Sequence, residues 1–376
     1  MTADSPAQPP LNEADKARYA RHLALNEIGT AGQLRLRASS VLLVGAGGLG
    51  SPAALYLAAA GIGTLGLADF DFVDVSNLQR QVLFGTAQIG HHKAVAARER
   101  LLALNPSINV EVHLEKLAAN NARALISGYD IVIDGTDRLA TRYLINDACV
   151  LEGKPLVSAA IHRFEGQAMT YVPGKAPCYR CLFPDAERSP VPNCAEAGVL
   201  GVLPGVMGSL QATEAIKLIL GIGLPLLGRL LTYDALTLRF AEFSFKRRAD
   251  CAVCGDNPRI KDLIAELPMT DIDIWTPVQL AERLQQDSTQ DFIMVDVREP
   301  VEWQAGRIPG SMHIPLGQLP QRLAEIGTER RPLFICAAGA RSFNACRFAA
   351  QAGLAPINLD GGIYAWTAEF GAPPAP

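Results

Sequence analysis

Two cysteine pairs with the spacing Cys-x-x-Cys lie far apart in this chain of 376 residues. The first pair is Cys178 and Cys181, and the second is Cys251 and Cys254. A gap of two residues lets both thiolates of a pair reach one metal ion, and four thiolates make a closed tetrahedral zinc site. We therefore predict a structural Zn²⁺ with no open coordination position. Two independent redox-active pairs are the alternative.

A further cysteine, Cys336, begins a loop that ends at Arg341. The four residues between them are Ala-Ala-Gly-Ala, which are small enough for backbone N–H groups to turn inward around the sulfur. Such groups, together with the start of a helix, stabilise a thiolate or an anionic persulfide. The pattern predicts a catalytic thiol that carries sulfur, with Arg341 beside it.

A glycine-rich loop follows the apolar segment Val41–Val44. Gly45, Gly47 and Gly50 have the G-x-G-x-x-G spacing, and Gly48 lies between them. After a strand and before a helix, this motif lets phosphate approach free N–H groups and the positive end of the helix dipole. The motif is most common in nicotinamide or flavin oxidoreductases. A tight turn that binds no ligand is the other alternative.

Polar residues beyond the next strand favour a triphosphate. Asp69 ends that strand, where an acidic residue can hold ribose hydroxyls. Asn77, Arg80 and Lys93 follow in the chain. A site for a dinucleotide does not need these residues. A triphosphate carries several negative charges, which require cationic and amide partners. Asp137 ends another strand, at the edge where parallel sheets bind ligands, and can hold Mg²⁺.

Alternating strands and helices must position these residues. The pattern predicts an α/β fold, a doubly wound Rossmann-like sheet with the zinc-linked antiparallel region after it. The predicted strands are 41–44, 64–68, 108–114, 130–134, 155–160 and one antiparallel strand over 233–245, and the principal helices are 12–37, 51–60, 92–104 and 208–221.

The alternation restarts on a smaller scale after a polar, proline-containing stretch. Strands at 292–295, 332–336 and 357–359, with a helix over 341–352, predict a second, small α/β domain. The predicted organisation is a first domain over residues 1–256, a linker over 257–271 and a second domain over 272–376.

Composition sets the broad class. Apolar residues make up 49% and charged residues 19%, and the net charge is −4, so the chain is globular and lacks the basic character that nucleic-acid binding requires. Residues 1–10 show no secretory signal, and eight cysteines without one predict a reducing, cytoplasmic location. The uncharged stretch 38–68 would fit a membrane span, but its glycines favour strand, turn and helix instead.

The first part of the chain resembles the ubiquitin-activating-enzyme-like superfamily. Within it, the resemblance is to the bacterial branch of molybdopterin-synthase and thiamine-thiocarboxylate adenylyltransferases. The resemblance covers about residues 18–254. The matching residues are Arg18–Arg21, the glycine loop, Ser76–Gln81, Gly90–Lys93, Asp134–Asp137, the two cysteine pairs and Gly208–Ala212.

The resemblance implies roles for these residues. Asp69 would bind the ribose of ATP, while Asn77, Arg80 and Lys93 would bind its phosphates. Asp137 would serve Mg²⁺ and the reacting α-phosphate. Arg21 would reach the ATP site of a second copy, which implies a homodimer. One departure is Arg138, where the family usually has Asn.

The same resemblance makes Cys194 a second catalytic thiol, because the superfamily carries its conjugating or sulfur-linking cysteine at this position. Small and polar neighbours, Pro192–Gly201, predict a loop there. An exposed bystander cysteine is the alternative.

Residues 272–370 resemble the rhodanese family of sulfurtransferases. The matching segments are Val295–Pro300, Gly306–Ser311, the Cys336 loop and Asp360–Trp366. In this resemblance Asp296 and Arg298 would brace the loop. Related phosphatases place five residues between cysteine and arginine, and a loop with four favours sulfur over phosphate.

The predicted reaction has two stages. ATP and Mg²⁺ would adenylate the C-terminal glycine of a small ubiquitin-like sulfur-carrier protein that ends in Gly-Gly, and persulfide sulfur on Cys336 would convert it to a thiocarboxylate. A donor such as a cysteine desulfurase would load Cys336. An NAD-dependent oxidoreductase fused to a sulfurtransferase and a non-catalytic carrier-binding scaffold are the alternatives. The pathway of the carrier stays open among molybdopterin, thiamine, cysteine, thiolated tRNA and siderophore synthesis.

Overall fold

The computed structural model describes residues 9–184, 198–263, 272–285 and 291–374. The chain divides into two compact units, Met1–Ala265 and Glu266–Pro376. The division lies inside the stretch predicted as a linker. Ile260 and Leu263, which also belong to that stretch, pack against the core of the first unit.

Within the described residues, the first unit has a sheet of eight strands in the order β3-β2-β1-β4-β5-β6-β7-β8. The strands are β1 (Ser40–Val44), β2 (Thr64–Ala68), β3 (Asn109–His113), β4 (Ile131–Asp134), β5 (Leu156–His162), β6 (Glu165–Tyr171), β7 (Arg229–Asp234) and β8 (Arg239–Ser244). The first five strands in the sheet are parallel, and β6, β7 and β8 continue it in antiparallel pairing.

Helices cover the parallel part of this sheet. They are α1 (Glu13–Arg18), α2 (Ala20–Leu23), α3 (Gly29–Ala38), α4 (Gly50–Ala60), α5 (Lys93–Leu104), α6 (Ala119–Ser127), α7 (Leu139–Leu151), α8 (Tyr179–Leu182) and α9 (Leu203–Leu220). Helix α4 ends at Gly61, whose φ of 82° is a left-handed conformation that suits glycine.

The central strand β1 separates two halves of the core. Val41 and Leu43 belong to the cluster on one face, and Leu42 and Val44 to the cluster on the other, as the alternation of side chains along a strand requires. Both faces are buried, which explains the uninterrupted apolar run. Because β1 pairs with β2 on one side and with β4 on the other, a crevice opens between the carboxyl ends of β1 and β4.

The predicted parallel strands are confirmed, and three element boundaries differ. The single strand predicted over 233–245 was wrong, because β7 and β8 form a hairpin there. The helix predicted over 12–37 is divided into α1, α2 and α3, and α9 begins at Leu203, earlier than the predicted 208. The uncharged stretch 38–68 forms β1, α4 and β2. None of the helices among the described residues has the length and apolar character that a membrane crossing requires.

The second unit has its own parallel sheet, with five strands in the described residues and the order β11-β10-β12-β13-β9. The strands are β9 (Asp273–Trp275), β10 (Phe292–Asp296), β11 (Met312–His313), β12 (Arg331–Ile335) and β13 (Ile357–Leu359). The helices are α10 (Pro277–Gln285), α11 (Pro300–Gln304), α12 (Leu319–Arg322), α13 (Ala340–Gln351) and α14 (Gly362–Phe370). The loop that begins at Cys336 joins β12 to α13, at the carboxyl end of the central strands.

Candidate functional site

The glycine loop connects β1 to α4, and its glycines are required by close backbone contacts. Gly45 has a φ of 91°, and a Cβ atom on it would lie 2.9 Å from the carbonyl oxygen of Gly135. A Cβ atom on Gly50 would collide with the carbonyl oxygen of Gly45. The loop therefore folds tightly against the turn after β4, and its N–H groups border the crevice between the two strands.

Asp69 holds the glycine loop from the end of β2. Its Oδ2 atom accepts a hydrogen bond of 2.8 Å from the backbone N–H of Ala46, and its Oδ1 accepts one of 2.9 Å from that of Asp71. Burial raises the pKa of Asp69, while the Ala46 hydrogen bond and the nearby Lys93 charge oppose that shift. The carboxylate thus borders the crevice, where a ribose hydroxyl can donate to it.

A cavity of about 940 Å³ occupies the crevice. Seven residues predicted from the sequence line it, and these are Gly45, Gly47, Gly48, Asp69, Arg80, Lys93 and Asp137. Its wall also includes residues of the β7–β8 hairpin, among them Thr232, Thr237 and Arg239. The volume suits a nucleotide together with part of a second substrate.

Two of the cations that line this cavity, Lys93 and Arg80, and one carboxylate, Asp137, were predicted from the sequence. The Lys93 side chain is 8% exposed, and its Nζ lies 3.1 Å from Oδ2 of Asp71. Arg80 donates from Nη1 to the carbonyl oxygen of Ser76 at 2.9 Å. Asp137 and Arg138 are exposed and follow β4 directly. The arrangement offers positive charge for phosphate and a carboxylate for a metal ion.

Asn77, Gly50 and Arg21 are not among the described residues that line the cavity. Asn77 ends a short 3₁₀ turn, where its Oδ1 accepts a hydrogen bond of 3.4 Å from the N–H of Asp74. Arg21 is exposed in α2. Their predicted roles at phosphate and in a second copy stay predictions.

Two further residues, Gln81 and Arg142, line the cavity although neither was predicted from the sequence as a site residue. Gln81 is 4% exposed, and its Oε1 atom is buried without a hydrogen-bond partner among the described residues. A buried acceptor without a partner indicates that a bound ligand donates a hydrogen bond to it. Gln81 belongs to the run Ser76–Gln81, which carried the family resemblance, so the signal was present in the sequence.

The four paired cysteines converge at one place in the first unit. Their sulfur atoms all lie within 4.8 Å of one another, with a distance of 3.6 Å between Cys178 and Cys251 and of 3.4 Å between Cys181 and Cys254. Four sulfurs bound at about 2.3 Å to one tetrahedral zinc are about 3.8 Å apart. The donor set and its spacing therefore fit a zinc ion. Two separate redox-active pairs fit less well, because Cys178 and Cys181 lie 4.0 Å apart and each is closer to a cysteine of the second pair.

The Cys336 sulfur is buried under its own loop, with 1% of the residue exposed. The backbone N–H of Gly339 donates to Sγ at 3.1 Å, and the Ser342 hydroxyl lies 3.3 Å from it. Gly339 has a φ of 90°, and a Cβ atom on Gly362 would collide with the Cys336 carbonyl oxygen. The loop encloses the sulfur closely, which suits a sulfur anion.

Buried and half-buried charges surround this loop. Asp296 and Arg298 form a buried ion pair of 2.7 Å, and Arg298 also donates to the Gly306 carbonyl oxygen at 2.7 Å. The pair therefore braces the turn at Gly306. Among the described residues, neither side chain forms a hydrogen bond to the Cys336 loop. Arg341, in contrast, is bound by both oxygens of Glu302, which sequence analysis did not identify.

Cys194 lies outside the described residues. Of the remaining cysteines, Cys149 and Cys346 are fully buried among apolar side chains in α7 and α13, which indicates a structural role.

The sheet order, the glycine-loop cavity and the separate cysteine loop define a two-domain protein that combines a ThiF domain with a rhodanese domain. Residues 19–253 match the model of the ThiF family, and residues 276–369 match that of the rhodanese-like domain. The chain belongs to the ThiF family and carries a C-terminal rhodanese-like domain. The two resemblances predicted from the sequence are thereby confirmed.

Two relatives match nearly the whole chain, and a third matches about two thirds of it. The probable adenylyltransferase/sulfurtransferase MoeZ of Mycobacterium tuberculosis is 42% identical over 379 residues, which cover 96% of this chain and 95% of that protein. The adenylyltransferase and sulfurtransferase MOCS3 of Aedes aegypti is 42% identical, with 95% and 88% covered. The sulfur carrier protein adenylyltransferase of Thermus thermophilus is 50% identical over 253 residues, which cover 66% of this chain and 93% of that protein.

Solved structures support the fold of the first unit. The crystal structure of E. coli MccB is similar with a TM-score of 0.57 and 26% identity, and the match covers 65% of this chain and 73% of that one.

Proposed function

We propose that this chain is an ATP-dependent adenylyltransferase and sulfurtransferase that acts on the C-terminal glycine of a small ubiquitin-like sulfur-carrier protein ending in Gly-Gly. The observation that carries the proposal is that one chain holds both a nucleotide cavity with Asp69, Arg80 and Lys93 and an enclosed thiol at Cys336. The names of the relatives agree with it and give no support to the oxidoreductase alternative.

The first step is nucleophilic substitution at the α-phosphorus of ATP. A carboxylate oxygen of the carrier's terminal glycine forms a bond to that phosphorus, the bond to the β-phosphate oxygen breaks, and pyrophosphate leaves. The carboxylate is already a nucleophile, so no general base is required. Positioning and charge stabilisation supply the catalysis.

The residues of the cavity have distinct roles in this step. Asp69 accepts hydrogen bonds from the ribose hydroxyls. Arg80 and Lys93 stabilise the phosphate charge that develops on the leaving pyrophosphate, and the family resemblance assigns the same role to Asn77. Asp137 holds Mg²⁺, and the exposed carboxylate at the cavity wall fits that ion's preference for oxygen ligands. When bound, Mg²⁺ neutralises phosphate charge.

The second step transfers sulfur. The terminal sulfur of a Cys336 persulfide attacks the acyl carbon of the adenylate, the carbon–oxygen bond to AMP breaks, and AMP leaves. The product is an acyl disulfide that joins the carrier to Cys336. A cysteine desulfurase is the proposed class of donor that loads the persulfide. The Gly339 N–H and the Ser342 hydroxyl support this role, because they stabilise a sulfur anion.

Release of the thiocarboxylate needs a second thiol, for which we propose Cys194. Its thiolate attacks Sγ of Cys336, the disulfide bond to the carrier breaks, and the carrier leaves as a thiocarboxylate. The Cys194–Cys336 disulfide that remains is reduced by an external dithiol. This assignment rests on family resemblance and on the chemistry of thiol–disulfide exchange.

Two further assignments complete the proposal. The four-cysteine cluster holds a structural Zn²⁺, which the spacing of its sulfur atoms supports. The active form is a homodimer in which Arg21 reaches the ATP site of the second copy, as the family resemblance implies.

Carrier-dependent exchange of labelled pyrophosphate into ATP tests the proposal. We expect exchange only when a carrier with a free C-terminal Gly-Gly is present, and none with a carrier that lacks the last glycine. Cys336→Ala should retain this exchange and abolish thiocarboxylate formation, which mass spectrometry of the carrier detects as replacement of oxygen by sulfur. Cys346→Ala, in the same unit, is the matched control and should retain both activities.

Two results would overturn the proposal. Absence of exchange with every carrier of this type would exclude adenylation. Thiocarboxylate formation at an undiminished rate by Cys336→Ala would exclude that residue as the sulfur carrier.

A further inference from the structure

The turn that follows β4 is fixed by the buried carboxylate of Asp134. Its Oδ1 atom accepts hydrogen bonds from the N–H and the hydroxyl of Thr136, at 3.0 and 2.7 Å. Its Oδ2 accepts one of 3.0 Å from the hydroxyl of Ser158. Thr136 directly precedes Asp137, the carboxylate that faces the cavity, so Asp134 determines where the chain enters the site.

Arg142, one turn into α7, closes this network. Its Nε donates to Oδ2 of Asp134 at 3.0 Å, and its Nη2 donates to the carbonyl oxygen of Thr136 at 3.0 Å. The Arg142 side chain is 8% exposed, and that of Asp134 is fully buried. Both the N–H and the C=O of Thr136 are therefore held, and removal of either charge would leave a costly unpaired ion.

The first cysteine turn lies against the same arginine. The guanidinium carbon of Arg142 is 5.8 Å from the ring centroid of Tyr179, which stands between Cys178 and Cys181. The N–H of Tyr179 donates to Oδ1 of Asn146 in α7 at 2.8 Å. Tyr179 is 5% exposed, and it lines the nucleotide cavity together with Arg142.

The next residue of that turn, Arg180, is anchored to the same helix. Arg180 forms two hydrogen bonds of 2.7 Å to the carboxylate of Asp147, which also lies in α7. Arg180 is not among the described residues of the cavity wall. Its guanidinium carbon also lies 4.6 Å from the ring centroid of Tyr143, which lines the cavity and packs against Tyr179. The cysteine turn therefore reaches the cavity wall through Tyr179 and through Tyr143.

We propose that Arg142 and Tyr179 are positioning residues for the nucleotide site, through which the cysteine turn fixes the segment that carries Asp137. Tyr179 limits the movement of the Arg142 guanidinium. Arg142 in turn holds the carbonyl oxygen of Thr136 directly, and it holds the N–H of Thr136 through Asp134. This inference rests on the proposed function, since it assigns the residues to ATP binding. It predicts that these side chains act on the phosphate end of the nucleotide and leave the nucleoside end unaffected.

The test compares two ligands on the full-length chain. Binding of ATP with Mg²⁺ and binding of adenosine are measured by calorimetric titration for the unmodified protein, Arg142→Lys and Tyr179→Leu. We expect the affinity for ATP with Mg²⁺ to fall by about tenfold in both variants, since misplacement by about 1 Å at a reacting group has effects of this order or more. Adenosine affinity and zinc content per chain should be unchanged. Arg123→Gln is the control, because Arg123 pairs with Glu152 and neither residue lines the cavity. It should bind both ligands as the unmodified protein does.

Three results would contradict the inference. If both ligands lose affinity equally, the two residues support the fold in general. If neither ligand loses affinity, the contacts do not position the site. If Arg123→Gln causes the same selective loss, the effect does not pass through Tyr179. Failure of the unmodified chain to bind ATP would instead overturn the proposed function.

Discussion

Glu302 forms a two-point ion pair with Arg341, with distances of 2.7 Å from Nη1 to Oε2 and 2.6 Å from Nη2 to Oε1. Arg341 lies in the first turn of α13, just after the Cys336 loop, at the place where an anion would bind. Its charge is already matched by a carboxylate from α11. An incoming oxyanion must compete with Glu302, which favours persulfide chemistry at Cys336 over phosphate chemistry.

Removal of the Glu302 charge should make the second unit sensitive to oxyanions. Glu302→Gln keeps the size of the side chain but frees the Arg341 guanidinium for planar, bidentate recognition of phosphate or sulfate. We expect inhibition of sulfur transfer by phosphate to strengthen by roughly fivefold, the effect of about 1 kcal/mol for a half-exposed pair. The assay is transfer of sulfur from thiosulfate to cyanide. Glu325→Gln, which removes a surface partner of Arg322, is the control, and equal inhibition of both variants would refute the prediction.

The same ion pair predicts a pH dependence of stability. Hydrogen bonds from Arg341 are the main reason that the pKa of Glu302 is lowered from 4.5 to about 2. A carboxylate with a depressed pKa stabilises the fold fully above its ordinary pKa, and this contribution is lost as the pH falls from about 4.5 towards 2. The stability difference between the unmodified chain and Glu302→Gln should therefore be constant above pH 5 and shrink below pH 4.

Tryptophan fluorescence during urea unfolding measures this difference in the second unit alone. The three tryptophans of the chain, Trp275, Trp303 and Trp366, all lie there. A difference that stays constant down to pH 3 would show that the ion pair does not form in solution.

The Ser342 hydroxyl should contribute to sulfur transfer. Its Oγ lies 3.3 Å from Sγ of Cys336 and 2.9 Å from the carbonyl oxygen of Gly339, and its single proton can serve only one of them at a time. A charged sulfur attracts that proton more strongly than the carbonyl does. Ser342→Ala should slow the thiosulfate reaction by about tenfold, since a hydrogen bond to a charged group contributes about 1.5 kcal/mol or more.

Ser311→Ala is the matched control for that variant. Ser311 is half-buried in the same unit, and its hydroxyl donates to the carbonyl oxygen of Ile308 at 2.6 Å. It should lose stability without a selective loss of sulfur transfer. Unchanged kinetics in Ser342→Ala would assign its hydroxyl to Gly339 throughout the reaction.

The glycine loop should not tolerate a single methyl group at Gly50. A Cβ atom there collides with the Gly45 carbonyl oxygen, and the backbone on neither side can move without displacing β1 or α4. Gly50→Ala should abolish measurable binding of ATP with Mg²⁺.

Gly205→Ala is the control, because nothing lies within 4 Å of a Cβ atom at that helical position. Alanine there should stabilise α9 by up to about 1 kcal/mol and leave ATP binding intact. Retained ATP binding by Gly50→Ala would contradict the tight packing of the loop.

The features that could be predicted from the sequence are those whose residues lie close together along the chain. The glycine spacing, the two cysteine pairs and the small residues after Cys336 each occupy a few consecutive positions, and their chemistry follows from that spacing. Glu302 and Arg142 could not be found in this way. Glu302 meets Arg341 across 39 positions of chain, and Arg142 acts through Asp134 and a tyrosine of another segment. Only the folded sheet brings such partners together.

The hairpin shows a second limit of sequence patterns. Between β7 and β8 the turn contains Leu236 and Leu238, which are 70% and 73% exposed. These apolar residues continue the apolar–polar alternation through the turn, so the pattern predicted one strand where the structure has two. The turn is instead held by Asp234, which accepts hydrogen bonds from the N–H of Leu236 and the hydroxyl of Thr237.

Loss of one ligand from the cysteine cluster should release the metal and destabilise the first unit. Cys251 follows β8 and brings the chain back to the Cys178 turn, with its sulfur 3.6 Å from that of Cys178. A metal present at a thousandfold above its dissociation constant stabilises the folded state by about 4 kcal/mol. Cys251→Ser should therefore contain no zinc and lose stability of this order. Differential scanning calorimetry should show the first unit's transition at lower temperature, while the transition that tryptophan fluorescence assigns to the second unit stays in place.

Cys149→Ala is the control for this experiment, since Cys149 is buried in α7 and outside the cluster. It should retain one zinc per chain and lose only the small stability that a shortened core side chain costs, about 1 kcal/mol. A chelator should then lower the first transition of Cys149→Ala and leave that of Cys251→Ser unchanged. Zinc retained by Cys251→Ser, or a chelator effect of equal size in both variants, would show that the metal is not held by the four thiolates.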